Sequence, residues 1–191
     1  MPPTNAWQAC IRHKPAPSFR GVSTMKIRAR AAMVRPVSWN RFSDTHVPDS
    51  YKQPSAAPST AACPVCHAVF LRGHWQWCAV PEGAASLMCS ACHRTTDGVP
   101  AARLVLDGAF EAAHREEILG LVRHRAQRLH REHPMERVMA ITSGEDGTSI
   151  TTTGMHIARD ISSAIHHAYG GKLDIDYAHA EAELHVRWHR S

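Results

Sequence analysis

The sequence predicts an α+β fold in two parts: a small cysteine-held module, then a ferredoxin-like β-α-β-β-α-β-β domain. Three observations carry this reading. Two C-x-x-C pairs, CPVC at 63–66 and CSAC at 89–92, stand 22 residues apart. Two later stretches, 109–132 and 154–169, repeat apolar residues at three- and four-residue steps, the period of a helix with one buried face. Around them lie short β-branched or alternating runs, the period of strands.

Charge separates the first segment from the rest. Residues 1–43 hold eight Lys/Arg and no Asp or Glu. The whole chain has 22 basic and 17 acidic side chains, so residues 44–191 hold 14 basic and 17 acidic, a net of −3. The overall +5 is therefore a property of the arm, and a net-acidic body does not grip nucleic acid by bulk charge. The arm has five prolines and no sustained apolar period, so 1–43 is expected to be a disordered basic arm. Its composition fits an organellar transit peptide, an anion-touching tail, or sequence upstream of a true start at Met25 or Met33; the last is favoured. Residues 44–62, rich in Pro, Ser and Ala, read as a linker.

The module at 63–100 follows. RTTDGVPA (94–101) reads as a turn. The second domain, 101–191, opens with the strand ARLVLDG (102–108). The first helix, 109–132, buries Ile118, Leu121, Val122, Arg125 and Leu129; Asp107 or Gly108 caps it and Pro134 stops it. ERVMAIT (136–142) is a strand, SGEDG (143–147) a hairpin loop, and TSITTT (148–153) a strand. The second helix buries Ile157, Ile161, Ala164, Ile165 and Ala168, with Thr153 as cap and Gly170–Gly171 as stop. Strands at 172–177 and 182–189 close the chain, Leu184, Val186 and Trp188 pointing inward. The first six elements match a split β-α-β sheet, with an extra terminal strand.

The chemistry lies in the cysteines. C-x-x-C followed by His is the spelling of a c-type haem attachment site, and a pair of C-x-x-C turns is the spelling of a zinc site. No export signal is seen, and the segments after the pairs read as strand-like and turn-like, which argues against haem. Four thiolates are soft ligands that complete a tetrahedron round Zn²⁺ with no open position. Cys63, Cys66, Cys89 and Cys92 are therefore read as ligands of one structural Zn²⁺ in a zinc ribbon, and His67 and His93 as bystanders. The spacing of 22 slightly exceeds the usual range of about 15–20. Without a signal peptide, a disulfide framework is not expected, and Cys78 reads as a small buried hydrophobe.

Candidates for nucleic-acid contact are weaker. Trp75 and Trp77 alternate in WQW and either stack on bases or cover the ribbon and dock it on the second domain; docking is favoured. Arg123, Arg125, Arg128 and Arg131 form the densest basic surface in the body, at the end of a helix where the dipole already prefers cations. His156 and Arg159 sit one turn apart at a helix start, where they either bind an anion with the free N–H groups or pair with an acid such as Asp160. No phosphate loop, nucleophile elbow or HExxH is present.

The stretches CPVC, HWQW, CSAC, RLVLDGAFEAAHREEILGLVR, HPMERVMAI, TTTGMHIARDI and the terminal VRW resemble a family of small bacterial proteins. These look like relatives of the N-terminal region of the archaeal and eukaryotic adaptor that escorts the large ribosomal subunit out of the nucleus. The resemblance covers about residues 39–191. It implies a zinc ribbon followed by an α/β domain, and binding to rRNA or the ribosome, without the transport role. Of functional positions it carries over only the four paired cysteines. The family usually has Gly after the second of these; here it is His67, which leaves the ligands intact but perturbs the turn.

The expected function is a non-catalytic, zinc-stabilised binding module associated with RNA or the ribosome in the cytoplasm. Alternatives from other classes are a zinc-thiolate redox switch and a c-type haem electron carrier. No run approaches 18 apolar residues, so no membrane partner is expected, and no small-molecule substrate is identified.

Overall fold

A computed structural model describes residues 50–51, 58–178 and 183–191. The basic arm and most of the expected linker lie outside these residues. Among the described residues the fold is mixed α+β, with two sheets and three helices.

The small sheet is formed by β1 (Thr60–Ala62), β2 (Val69–Leu71), β3 (His74–Gln76) and β4 (Ala85–Ser86), in the order β3-β2-β1-β4. β1 lies within the stretch read as linker; its alanines pair on one side with Phe70 and Val69 and on the other with Ala85 and Ser86. Helix α1 (Ser90–Asp97) follows, where a turn was expected from 94 onward. Cys89 caps its start and Gly98, in the left-handed region, ends it. Arg94 is buried and donates to the carbonyl of Val99 at 3.3 Å. The Thr- and Asp-rich composition hides this helix because such side chains ordinarily favour turns.

The large sheet contains β5 (Ala102–Asp107), β6 (Val138–Gly144), β7 (Gly147–Thr152), β8 (Lys172–Ala178) and β9 (Glu183–His189), in the order β6-β7-β5-β9-β8. Helices α2 (Ala109–Glu132) and α3 (Met155–Tyr169) pack with Leu104, Leu106, Ile150, Leu184, Val186 and Trp188 into one core. Each such buried aliphatic side chain contributes about 1.5–3 kcal/mol relative to exposure. Trp188 is fully buried and donates its Nε1–H to the carbonyl of Gly170 at 2.7 Å. Ala168, expected in the stripe of α3, is exposed.

The extra strand is not an appendage. β9 pairs with β5 in parallel, in the place where a ferredoxin-like sheet sets the strand that follows its second helix, and β8 is displaced to the edge. Burial explains the exchange. The inward residues of β9, Leu184, Val186 and Trp188, are all buried, whereas those of β8 are only half-buried. The exposed Lys172, Asp174 and Asp176 of β8 suit an edge, where charge discourages pairing with other chains.

Gly108 turns the chain from β5 into α2 at φ 104°; a Cβ there would lie 2.1 Å from the carbonyl oxygen of Arg190. Beside it two carboxylates are buried. Asp107 accepts from Arg187 Nε at 2.7 Å and is bonded to His189 Nδ1. Glu111 accepts from Arg115 at 2.9 and 3.0 Å and from Thr148 Oγ1 at 2.7 Å. Burial pushes both pKa values up, but the hydrogen bonds outweigh it and hold both below the ordinary carboxylate range. Folded-state pKa values below unfolded ones mean stability that is complete above about pH 4–5 and is lost as pH falls through the folded values. Thermal melts between pH 7 and pH 2 are expected to show this loss. Asp107→Asn with Glu111→Gln should flatten it, at the cost of lower stability at neutral pH; an unchanged acid limb would refute the assignment.

Candidate metal centre

The four paired cysteines converge. Their sulfur atoms all lie within 4.8 Å of one another, and no other group of three or more His, Cys, Asp or Glu among the described residues does so in a way that could hold a metal. Cys63, Cys89 and Cys92 are buried and Cys66 is half-buried; none of the four is in a disulfide.

Each pair is delivered by a different device. Cys63 directly follows β1, and the chain doubles back at once: His67 N–H donates to the carbonyl of Cys63 at 2.9 Å, and Cys63 N–H to that of Ala68 at 2.9 Å. Closing this turn puts His67 at φ 62°. This is the position where glycine is cheaper, because a Cβ in the left-handed region costs roughly 1–2 kcal/mol. His67→Gly is therefore expected to raise stability by up to about 1 kcal/mol in a denaturant titration, part of the gain being offset by the extra freedom of unfolded glycine. A loss of stability would show that the imidazole itself is needed.

The second pair lies on the first turn of α1. Cys89 is its N-cap: its sulfur accepts from Cys92 N–H at 3.4 Å, while Cys89 N–H donates to Cys63 Sγ at 3.5 Å. A helix N-terminus favours negative charge, so the fold offers its positive end to the thiolates.

The donor set suits one tetrahedral ion. Metal–sulfur bonds of about 2.3 Å place tetrahedral sulfurs roughly 3.8 Å apart, and Cys66 and Cys89 are 3.7 Å apart. The electrostatics also call for a cation. Burial disfavours the Cys63 thiolate, but backbone N–H groups of Cys89, Cys66 and Val65 outweigh it and lower its pKa to about 6. Burial pushes Cys89 and Cys92 up, and neighbouring thiolates push Cys89 further. Four sulfurs so close cannot all be charged without a counter-cation.

Part of that counter-charge is built in. Arg137 points its Nη1 at Cys92 Sγ (3.5 Å) and its Nη2 at Cys89 Sγ (4.0 Å), and donates Nε–H to the carbonyl of Pro134 at 2.8 Å. Burial works against its charge, but the thiolates of Cys66 and Cys92 outweigh it and raise its pKa. Its backbone is anchored to Thr153, whose Oγ1 accepts from Arg137 N–H at 3.0 Å and whose N–H donates to Arg137 O at 2.9 Å. Met135 packs beside the cysteines, and Ser90 Oγ lies 3.4 Å from its sulfur. The cysteine unit is thus fastened to the large sheet. Sequence reasoning missed Arg137, which lies 45 residues beyond Cys92 with no periodic signal to mark it.

The other candidates divide into two groups. Arg123 pairs with Glu116 at 3.7 Å; Arg125 and Arg128 both reach Asp160, at 3.9 and 3.7 Å. Arg131 is exposed at the end of α2. Trp75 packs against Phe70, ring centroids 5.4 Å apart, and against the cysteine cluster. Trp77 donates its Nε1–H to the carbonyl of His130 at 2.7 Å and meets the His130 ring edge-on, which is the docking role. His156 is exposed and lies edge-on to His133. Arg159 is half-buried on α3.

One N–H group of the α3 start is already taken. Glu136 accepts from Ile157 N–H at 2.8 Å, so an internal carboxylate fills the place. Gly154 is the N-cap, not Thr153, and a Cβ on it would fall 2.3 Å from Glu136 Oε2. His67 and His93 are exposed, and Cys78 is half-buried and disulfide-bonded rather than a buried free thiol. No helix of the described residues is long and apolar enough to cross a membrane. No family model, curated protein or solved structure matches this chain.

Proposed function

We propose that the protein is a zinc-stabilised, non-catalytic binding module that associates with RNA or the ribosome, in the cytoplasm. The observation that carries the metal part is the set of four sulfurs within 4.8 Å, one pair at the end of β1 and one on the first turn of α1. When bound, Zn²⁺ would supply folding energy, since four thiolates leave no open position for an activated water. One cluster round one point also favours a single ion over the two porphyrins that two haem-attachment sites would serve.

The RNA part rests on the resemblance to the bacterial relatives of the ribosomal-subunit adaptor and on the basic end of α2. The ion pairs of Arg123 and Arg128 are loose, at 3.7 Å, and their side chains are 54% and 49% exposed. A phosphate could replace either acid without unfolding anything.

Elemental analysis should find about one zinc per chain and no Soret absorbance. A salt-dependent mobility shift with rRNA, weakened by replacing Arg123, Arg125, Arg128 and Arg131 together, is expected. Absence of binding at low salt would refute the RNA association, and a red protein the zinc assignment.

A further inference from the structure

Between the β2–β3 hairpin of the small sheet and the segment that joins α2 to β6, with the start of α3, lies a cleft of about 680 Å³. His74 and Trp75 form one wall; His133, Met135, Glu136 and His156 form the other. Its chemistry is unusual for a crevice between packed units. Among the described residues that line it are an indole, three imidazoles and a thioether, and no Lys or Arg. The one carboxylate, Glu136, has an oxygen committed to the N–H of Ile157 at the start of α3. Basic side chains stand instead beside the lining residues in sequence: Arg72 precedes Gly73 and His74 on one wall, and Arg131 comes two residues before His133 on the other.

Flat rings lining a cleft, with basic residues close by in the chain, are the elements that hold a single nucleic-acid strand. Bases stack on aromatic faces while the backbone follows the positive charge. Imidazole adds a donor and an acceptor on one ring, which can meet the polar edge of a base. The volume lies within the range of small-molecule sites, about 300–1,000 Å³, so a base enters without either sheet moving. We propose that this cleft receives an unstacked nucleobase of single-stranded RNA, held between Trp75 and the imidazoles of His133 and His156. The proposal rests on the RNA-binding reading above and names the place where that reading becomes base-specific. The cleft brings together two of the sequence candidates, Trp75 and His156, and adds His74 and His133, which sequence reasoning did not select.

The test compares two fluorescent single-stranded oligonucleotides, one intact and one carrying abasic sites, by anisotropy at several salt concentrations. The intact strand is expected to bind roughly 5- to 150-fold more tightly, the range of one stacked base. His133→Ala with His156→Ala removes exposed side chains. The pair should erase most of that preference and leave the salt slope unchanged. Trp75 supports the cysteine unit, so Trp75→Phe is the usable change there, with metal content as the check on folding. Equal binding of the two strands to the wild type, or a preference that survives the histidine changes, overturns the cleft assignment while leaving RNA binding standing. If neither strand binds at low salt, the RNA reading itself falls, and the cleft assignment with it.

Discussion

Excess zinc chelator is expected to unfold residues 60–97 while the five-stranded sheet stays folded. A structural zinc site of this type supplies roughly 10–16 kcal/mol of binding free energy at neutral pH, and that energy is folding energy for whatever cannot hold itself together otherwise. The small sheet is such a case. The buried cluster at its site consists of Cys63, Cys89, Ala91 and Cys92, three of the four being the metal's own donors. Its strands are two or three residues long. Among the described residues the large sheet and its two helices share a core of fourteen buried residues, from Ala102 to Trp188, and this core does not need the ion. Hydrogen exchange should show protection lost in β1 to α1 and kept in β5, β7 and β9. Cys89→Ser should reproduce the effect without chelator. Uniform protection after complete metal removal would show that the four sulfurs are not what holds this unit.

Arg137→Ala is expected to destabilise the protein by about 1.5–3 kcal/mol, the range of hydrogen bonds to charged groups, because the half-buried guanidinium is bonded to two sulfurs. The guanidinium faces Cys92 and Cys89 and satisfies the carbonyl of Pro134. Removing it leaves the thiolate charge uncompensated and undoes the joint between the units. Metal release to a competing chelator should quicken by tenfold or more. Arg137→Lys keeps the charge and loses the fork, so it should recover only part of the stability. Were the alanine variant to release metal at the wild-type rate, the coupling between this side chain and the sulfurs would be disproved.

What the sequence made legible was whatever is written locally. The ligand set follows from two short spacings. The bounds of α2 follow from Gly108 and Pro134 on either side of the apolar stripe from Ile118 to Leu129. What it concealed depends on partners far along the chain. The start of α3 looks like an anion site because nothing local shows that Glu136 fills it. The arginines of α2 look like a free cationic surface until Asp160, on another helix, is placed between Arg125 and Arg128. β9 looks like an addition to the sheet, because a strand's alternation says which face is buried and not which neighbours it takes.

The parallel pairing of β5 with β9 has a consequence for how the protein is made. Asp107 and His189 are register partners 82 residues apart. During synthesis the four cysteines emerge first and can take their ion early, but Arg137 arrives 45 residues after Cys92. β5 must wait longer still, since its β9 side stays open until residues 183–189 are complete. A chain stalled before that point exposes one apolar strand edge, and there a chaperone or another unfinished copy would engage it.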